Sequence, residues 1–168
     1  MFIAKVTRGF TLPELMVVIL IIGLIAAAAG IRFSGVTQNA KLEWASQQIR
    51  STDEQLRRFA SRDGAKGILK IDLNDNQLIR VYQDKIDQEL KIDLGETVTI
   101  KRFLSRTRDL KYNEAQVHYT QGGVTESFAL ELGLPSGKSV WLCVAGLTGR
   151  ITEEEQTENV QELFRKLP

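Results

Sequence analysis

Cysteine is all but missing: Cys143 stands alone in 168 residues, so no disulfide can close within the chain even in an oxidising compartment. Histidine is equally scarce. His118 lies between Val117 and Tyr119 in a strand-like stretch, with no second histidine and no cysteine pair to complete a transition-metal site. An excess of either charge is lacking too, with 22 basic against 21 acidic residues. Setting aside residues 1–31, which hold Lys5, Arg8 and Glu14, leaves 20 against 20. Such a balance argues against non-specific nucleic-acid binding, which needs a clustered positive field. Lys101-Arg102 and Arg106-Thr107-Arg108, with Lys111, are offset by Asp109 and Glu114 and read as solvated surface. Asp72 to Asn76 imitates the start of a calcium loop, but Gln77 and Gln83 stand where an EF-hand needs glycine and glutamate. Gly122-Gly123 and Gly146 to Gly149 do not follow a parallel strand into a helix, so they read as turns and not as phosphate cradles. No serine–histidine or paired-carboxylate arrangement is visible. No catalytic residue, cofactor or metal site is therefore expected.

What is present begins with Arg8-Gly9-Phe10-Thr11-Leu12-Pro13-Glu14-Leu15, followed by a run without charge until Arg32. Leu15 to Ile31 spans 17 uncharged residues, about 26 Å as a helix, near the lower bound for crossing a bilayer. Phe10 to Pro13 lengthen the apolar segment, interrupted only by Glu14. An ordinary signal peptide has a shorter apolar core and a clean small-x-small cleavage site. Lys5 and Arg8 precede the run and favour a cytoplasmic N-terminus, placing the chain beyond Arg32 outside the inner membrane. Ala26 to Ala29, with Gly23 and Gly30, form a small-residue face of the kind that admits neighbouring helices.

These residues resemble the class III prepilin signal of type IV pilins and type II secretion pseudopilins. The resemblance implies cleavage after Gly9 by a prepilin peptidase, N-methylation of Phe10 as the mature first residue, and the assembly role of the family's acidic fifth residue for Glu14. An ionisable group at the edge of a spanning helix is costly unless paired. Glu14 therefore either meets the Phe10 amine of a neighbouring subunit or sits unpaired among lipid headgroups. Pro13 departs from the commoner aliphatic residue, which a first helical turn tolerates.

Beyond the membrane segment, Leu42, Ala45, Ile49, Leu56, Phe59 and Ala60 recur at helical spacing, and Lys41, Gln47, Gln48, Arg50, Asp53, Glu54, Arg57 and Arg58 are assigned to the other side. Ser61 to Gly64 gives a stop. After it, apolar residues recur with a period of two around Ile71, Val81, Ile92, Ile100, Val117, Leu130 and Leu142, punctuated by glycine and asparagine turns. One antiparallel sheet with a single buried face is expected, covered by the helix stripe. The expected fold class is thus α+β and type IV pilin-like, a long N-terminal helix with a membrane half and an exterior half on an antiparallel β-sheet. The expected division is a leader at 1–9, a transmembrane half at 10–31, an exterior helix half at 32–62, a β domain at 63–152, and an acidic tail or short helix at 153–168.

Phe128 to Leu132, Gly133 to Gly137, Lys138 to Val144 and Gly149-Arg150-Ile151 are similar to the ending of the GspH/FimT-type minor pseudopilin domain. The tail holds five glutamates against Arg165 and Lys166, which counts against the DNA-binding branch. The resemblance implies a non-enzymatic minor pseudopilin of the periplasmic pseudopilus of type II secretion, at or near its tip. Its implied partners are major and minor pseudopilins, the prepilin peptidase, the inner-membrane assembly platform and, before extraction, membrane lipid. A minor pilin of a type IV pilus or DNA-uptake apparatus is the alternative within the family. A membrane-anchored hydrolase or ligand-binding module would need a cleft with convergent polar groups.

Overall fold

The computed structural model describes residues 11–82, 89–95 and 97–166; the side chains of residues 28–37, 165 and 166 are outside what it describes. Helix α1 (Leu12–Asp63) opens the chain. The chain divides after Asn39 into two units.

In the first unit, every large apolar side chain from Leu15 to Ile25 is exposed, from 44% at Val18 to 67% at Met16. The exposure has no polar side, because the sequence places apolar residues on all faces of these turns. A helix apolar all round requires an apolar surround. Among the described residues no helix is long and apolar enough to cross a membrane. The described side chains of this run stop at Ala27, short of the sequence-based span to Ile31.

Among the described residues the second unit holds the rest of α1, nine strands and a closing helix, α2 (Thr157–Lys166). Strands β1 (Gly67–Asp72), β2 (Gln77–Tyr82), β3 (Leu90–Asp93) and β6 (Glu114–Tyr119) make a sheet in the order β3-β2-β1-β6. Strands β4 (Thr99–Ser105), β5 (Asp109–Leu110), β7 (Phe128–Gly133), β8 (Ser139–Val144) and β9 (Ile151–Glu154) make a second, β5-β4-β7-β8-β9. Each pairing is antiparallel. The single sheet expected from the strand periodicity is therefore two. The alternation that marks a strand says which residues share a face, not which strands become neighbours.

Asn76 joins the two sheets at the β1–β2 turn. Its left-handed backbone, φ 56°, ends the turn, and its amide donates to the carbonyls of Gly95 and Val98 while accepting from Ile100 N–H of β4. The Asp72 carboxylate caps the same turn by accepting from Asn74 and Asp75 N–H. The calcium-like run is thus a hydrogen-bonded turn.

The α1 stripe packs as its spacing predicts. Leu42, Ala45, Ile49, Leu56 and Ala60 are buried in one core with Leu69, Ile71, Val117, Phe103, Phe128, Leu130 and Leu142 from both sheets. Phe59, half-buried, meets the Tyr82 ring edge-on at 4.4 Å. The later strands depart from the expectation of a single buried face. Leu104, Ala129, Trp141 and Cys143 point away from that core and are covered by Val160 and Phe164 of α2. The second sheet is buried on both faces at its centre, and the indole N–H of Trp141 donates to Thr157 Oγ1 at 3.1 Å. Each face contributes apolar burial of about 25 cal/mol per Å², which is how a ten-residue helix, marginal alone, stays docked.

Candidate functional site

Of the processing residues expected from the sequence, Lys5, Arg8, Gly9 and Phe10 lie outside the described residues. Glu14 is described, and it has a local partner. Its carboxylate Oε2 accepts from the backbone N–H of Thr11 at 3.2 Å and from the Thr11 hydroxyl at 3.0 Å. Leu15 N–H donates to the Thr11 carbonyl, so Thr11 stands at the helix entrance and Glu14 in its first turn. This is the reach-back half of a capping box, written in the sequence as Thr-Leu-Pro-Glu. The negative carboxylate also faces the positive end of the helix dipole. Pro13 fits this turn because the N–H it lacks would have no intrahelical acceptor. Glu14 Oε1 has no bond to the described residues.

A second polar arrangement escapes the sequence pattern. Asp53, assigned to the solvent side, is fully buried. Its Oδ1 accepts from the Tyr119 hydroxyl at 2.7 Å, and its Oδ2 accepts from Arg57 Nε at 2.6 Å. Arg57, assigned to the same exposed side, is turned inward with 14% of its side chain exposed. It donates to the carbonyls of Gly123 and Gly146 at 2.9 and 2.7 Å and reaches Ala145 O at 3.5 Å. Its guanidinium lies 5.6 Å from the Tyr119 ring centre. Burial and the adjacent Asp53 charge push the Tyr119 phenol far above its ordinary range, so it stays a hydrogen-bond donor. The group ties α1 to β6 of one sheet and to the loops flanking β7 and β8 of the other. Gly123, at φ 73°, leaves no room for a side chain against the Arg57 backbone, and a Cβ on Gly146 would strike the backbone of Thr125 and Glu126. Each carbonyl can thus come close to the guanidinium. The arrangement holds α1 to both sheets.

The remaining titratable candidates are dispersed. His118 is exposed on β6. Arg102 and Asp109 form a two-pronged pair at 2.7 and 2.6 Å, which holds Asp109 below the usual carboxylate range chiefly through that hydrogen bond. Its small contribution to stability is present at neutral pH and disappears as acid protonates the folded carboxylate. Arg108 pairs with Glu126 and donates to Gln116 O, so the basic stretches do meet carboxylates, although Glu114 bonds Gln116 instead. Arg150 and Trp44 are exposed. Among the described residues no three His, Cys, Asp or Glu side chains are grouped to hold a metal ion.

Cys143 is buried beneath α2, and burial, with a smaller push from Glu154, raises its thiol to about 11. Alkylation with iodoacetamide at pH 8 is expected to run roughly 100-fold slower in the folded chain than in urea, since only thiolate reacts. Equal rates would show that α2 does not cover the sulfur.

With this geometry in place, the chain can be set beside known proteins. Residues 5–30 match the family model of the prokaryotic N-terminal methylation motif. The fold is similar to the solved minor pseudopilin EpsH from the type 2 secretion system of Vibrio cholerae, with a TM-score of 0.55 at 12% identity, over 67% of this chain and 94% of that one. No curated protein matches. The chain therefore matches the N-terminal methylation motif over residues 5–30 and has an α+β fold similar to that of the solved minor pseudopilin.

Proposed function

We propose that the chain is a minor pseudopilin, a non-enzymatic subunit of the periplasmic pseudopilus of a type II secretion system, of the H type and placed at or near the tip. The observation that carries this is the union, in one chain, of a methylation motif over residues 5–30 with a pseudopilin-like fold. On this account the leader is residues 1–9, cut after Gly9 by a prepilin peptidase that then methylates Phe10. Residues 10–31 hold the protein in the inner membrane with its N-terminus in the cytoplasm, as the positions of Lys5 and Arg8 favour. The all-round apolar surface from Leu15 to Ile25 supports that placement. The half from 32 to 62 and the β domain over 63–152, with the 153–168 segment, form the periplasmic part. During assembly the helix leaves lipid for a bundle of like helices, and Glu14 Oε1 takes the Phe10 amine of a neighbour.

The chain works by being bound, so the test is what it binds. Full-length protein is isolated in mild detergent from cells at its native level. It is expected to bring other subunits bearing the same class of leader, together with the inner-membrane platform. Recovery of pilus-retraction or competence components instead would assign it to the pilus branch. Strong DNA binding at physiological salt would overturn the assignment.

A further inference from the structure

A cleft of about 520 Å³ opens at the C-terminal end of α1, walled by Arg57, Arg58, Ser61 and Arg62 on one side and by Gly123, Leu147 and Thr148 on the other. Among the described residues no acidic side chain lines it. The three arginines do not have equal freedom. Arg57 is engaged with Asp53 and the loop carbonyls. Arg58 has only a solvent-exposed contact with Glu54 at 3.3 Å, with 81% and 63% of the two side chains exposed. Such an exposed pair is weak and easily exchanged. Arg62 makes no ion pair with the described residues. Opposite them Leu147 is 77% exposed, an apolar side chain held at the rim of a cationic cleft.

We propose that this cleft is a docking site for a segment of another filament subunit that carries a carboxylate beside an apolar side chain. The inference rests on the subunit role proposed above and names one of its contacts. Guanidinium forks bind carboxylates two-pronged, and arginine beside an apolar anchor is the composition of an interface centre. Charge complementarity therefore selects an acidic segment. A nucleic-acid strand would call for a basic field around the cleft and aromatic faces for its bases. The described lining has no aromatic, and residues beyond 31 are evenly charged.

The test replaces Leu147 with the photoreactive residue p-benzoylphenylalanine in the full-length chain, at native level in cells that make the whole apparatus. Light is expected to join it to one other subunit, at a peptide with an aspartate or glutamate within about three residues of the attachment point. In the double variant Arg58→Glu, Arg62→Glu the adduct should fall at least tenfold, while Arg58→Lys, Arg62→Lys keeps most of it. Changing the mapped partner carboxylate to arginine should restore it in the charge-reversed chain. Both arginines are exposed, so these changes leave the fold intact. An adduct indifferent to charge reversal, an adduct to a second copy, to DNA or to lipid, or no adduct at all overturns the proposal. Leader removal is scored in the same samples. A processed chain without adduct overturns the cleft alone; an unprocessed one overturns the subunit role and the cleft with it.

Discussion

Asp53→Ala is expected to cost about 3–5 kcal/mol of stability, the usual penalty for removing one partner of a buried ion pair. The groups left behind set the size of the loss. Arg57, 14% exposed, keeps its charge and loses its carboxylate, while the Tyr119 hydroxyl loses its acceptor in the core. The comparison on the same helix is Arg58 with Glu54, also four residues apart but exposed, where Glu54→Ala should cost about 0.5 kcal/mol or less. Urea unfolding of the full chain in detergent, followed by tryptophan fluorescence, to which Trp44 and Trp141 both contribute, measures both. Adding Arg57→Met to Asp53→Ala should recover part of the loss, because it removes the orphaned charge. An Asp53→Ala chain as stable as the parent would mean that this network does not hold the helix to the sheets.

Glu14→Gln is expected to separate two roles that Glu14→Val confounds. Glutamine still reaches back to the helix entrance, since either residue serves in a capping box. It cannot neutralise an amine. Both variants should be cut after Gly9, as cleavage precedes subunit pairing. Both should then fail to assemble, with incorporation into filaments reduced at least tenfold. A neighbour's ammonium left without a carboxylate in a helical bundle is worth more than the roughly 1.4 kcal/mol that a factor of ten requires. Normal assembly of the Gln variant would leave Glu14 as a cap for α1 and remove it from the assembly contact. The contacts from Thr11 to Oε2 make this a real alternative, and Oε1 is what lets both roles coexist.

How far these features can be read from residues alone varies with their range. The α1 stripe is legible because burial recurs every three or four residues, and a one-sided helix has one solution. The strands are legible for the analogous reason at a period of two. Their division into two sheets is not, since it depends on which strand crosses over, and the ties that join the sheets, Asn76 to Gly95, Val98 and Ile100, are made at long range by a turn residue. The double burial of β8 has a trace in the sequence: Trp141 and Cys143 stand where an exposed face would want polar groups. Asp53 and Arg57 mislead because helical periodicity sends charged residues outward, and the residue that draws Asp53 inward, Tyr119, is 66 positions away. Thr11 with Glu14 is written plainly as a capping box. The resemblance to a prepilin signal hides it by supplying a different partner for the carboxylate.

Everything proposed for function depends on the new amino terminus. A bulky residue in place of Gly9 should block the peptidase and leave the precursor nine residues longer, and such a chain should not enter filaments. The most direct test needs no variant. The N-terminal peptide of the protein recovered from membranes of cells with an active prepilin peptidase should begin at Phe10 and carry one added methyl group. A peptide that still includes residues 1–9 would contradict the account at its root.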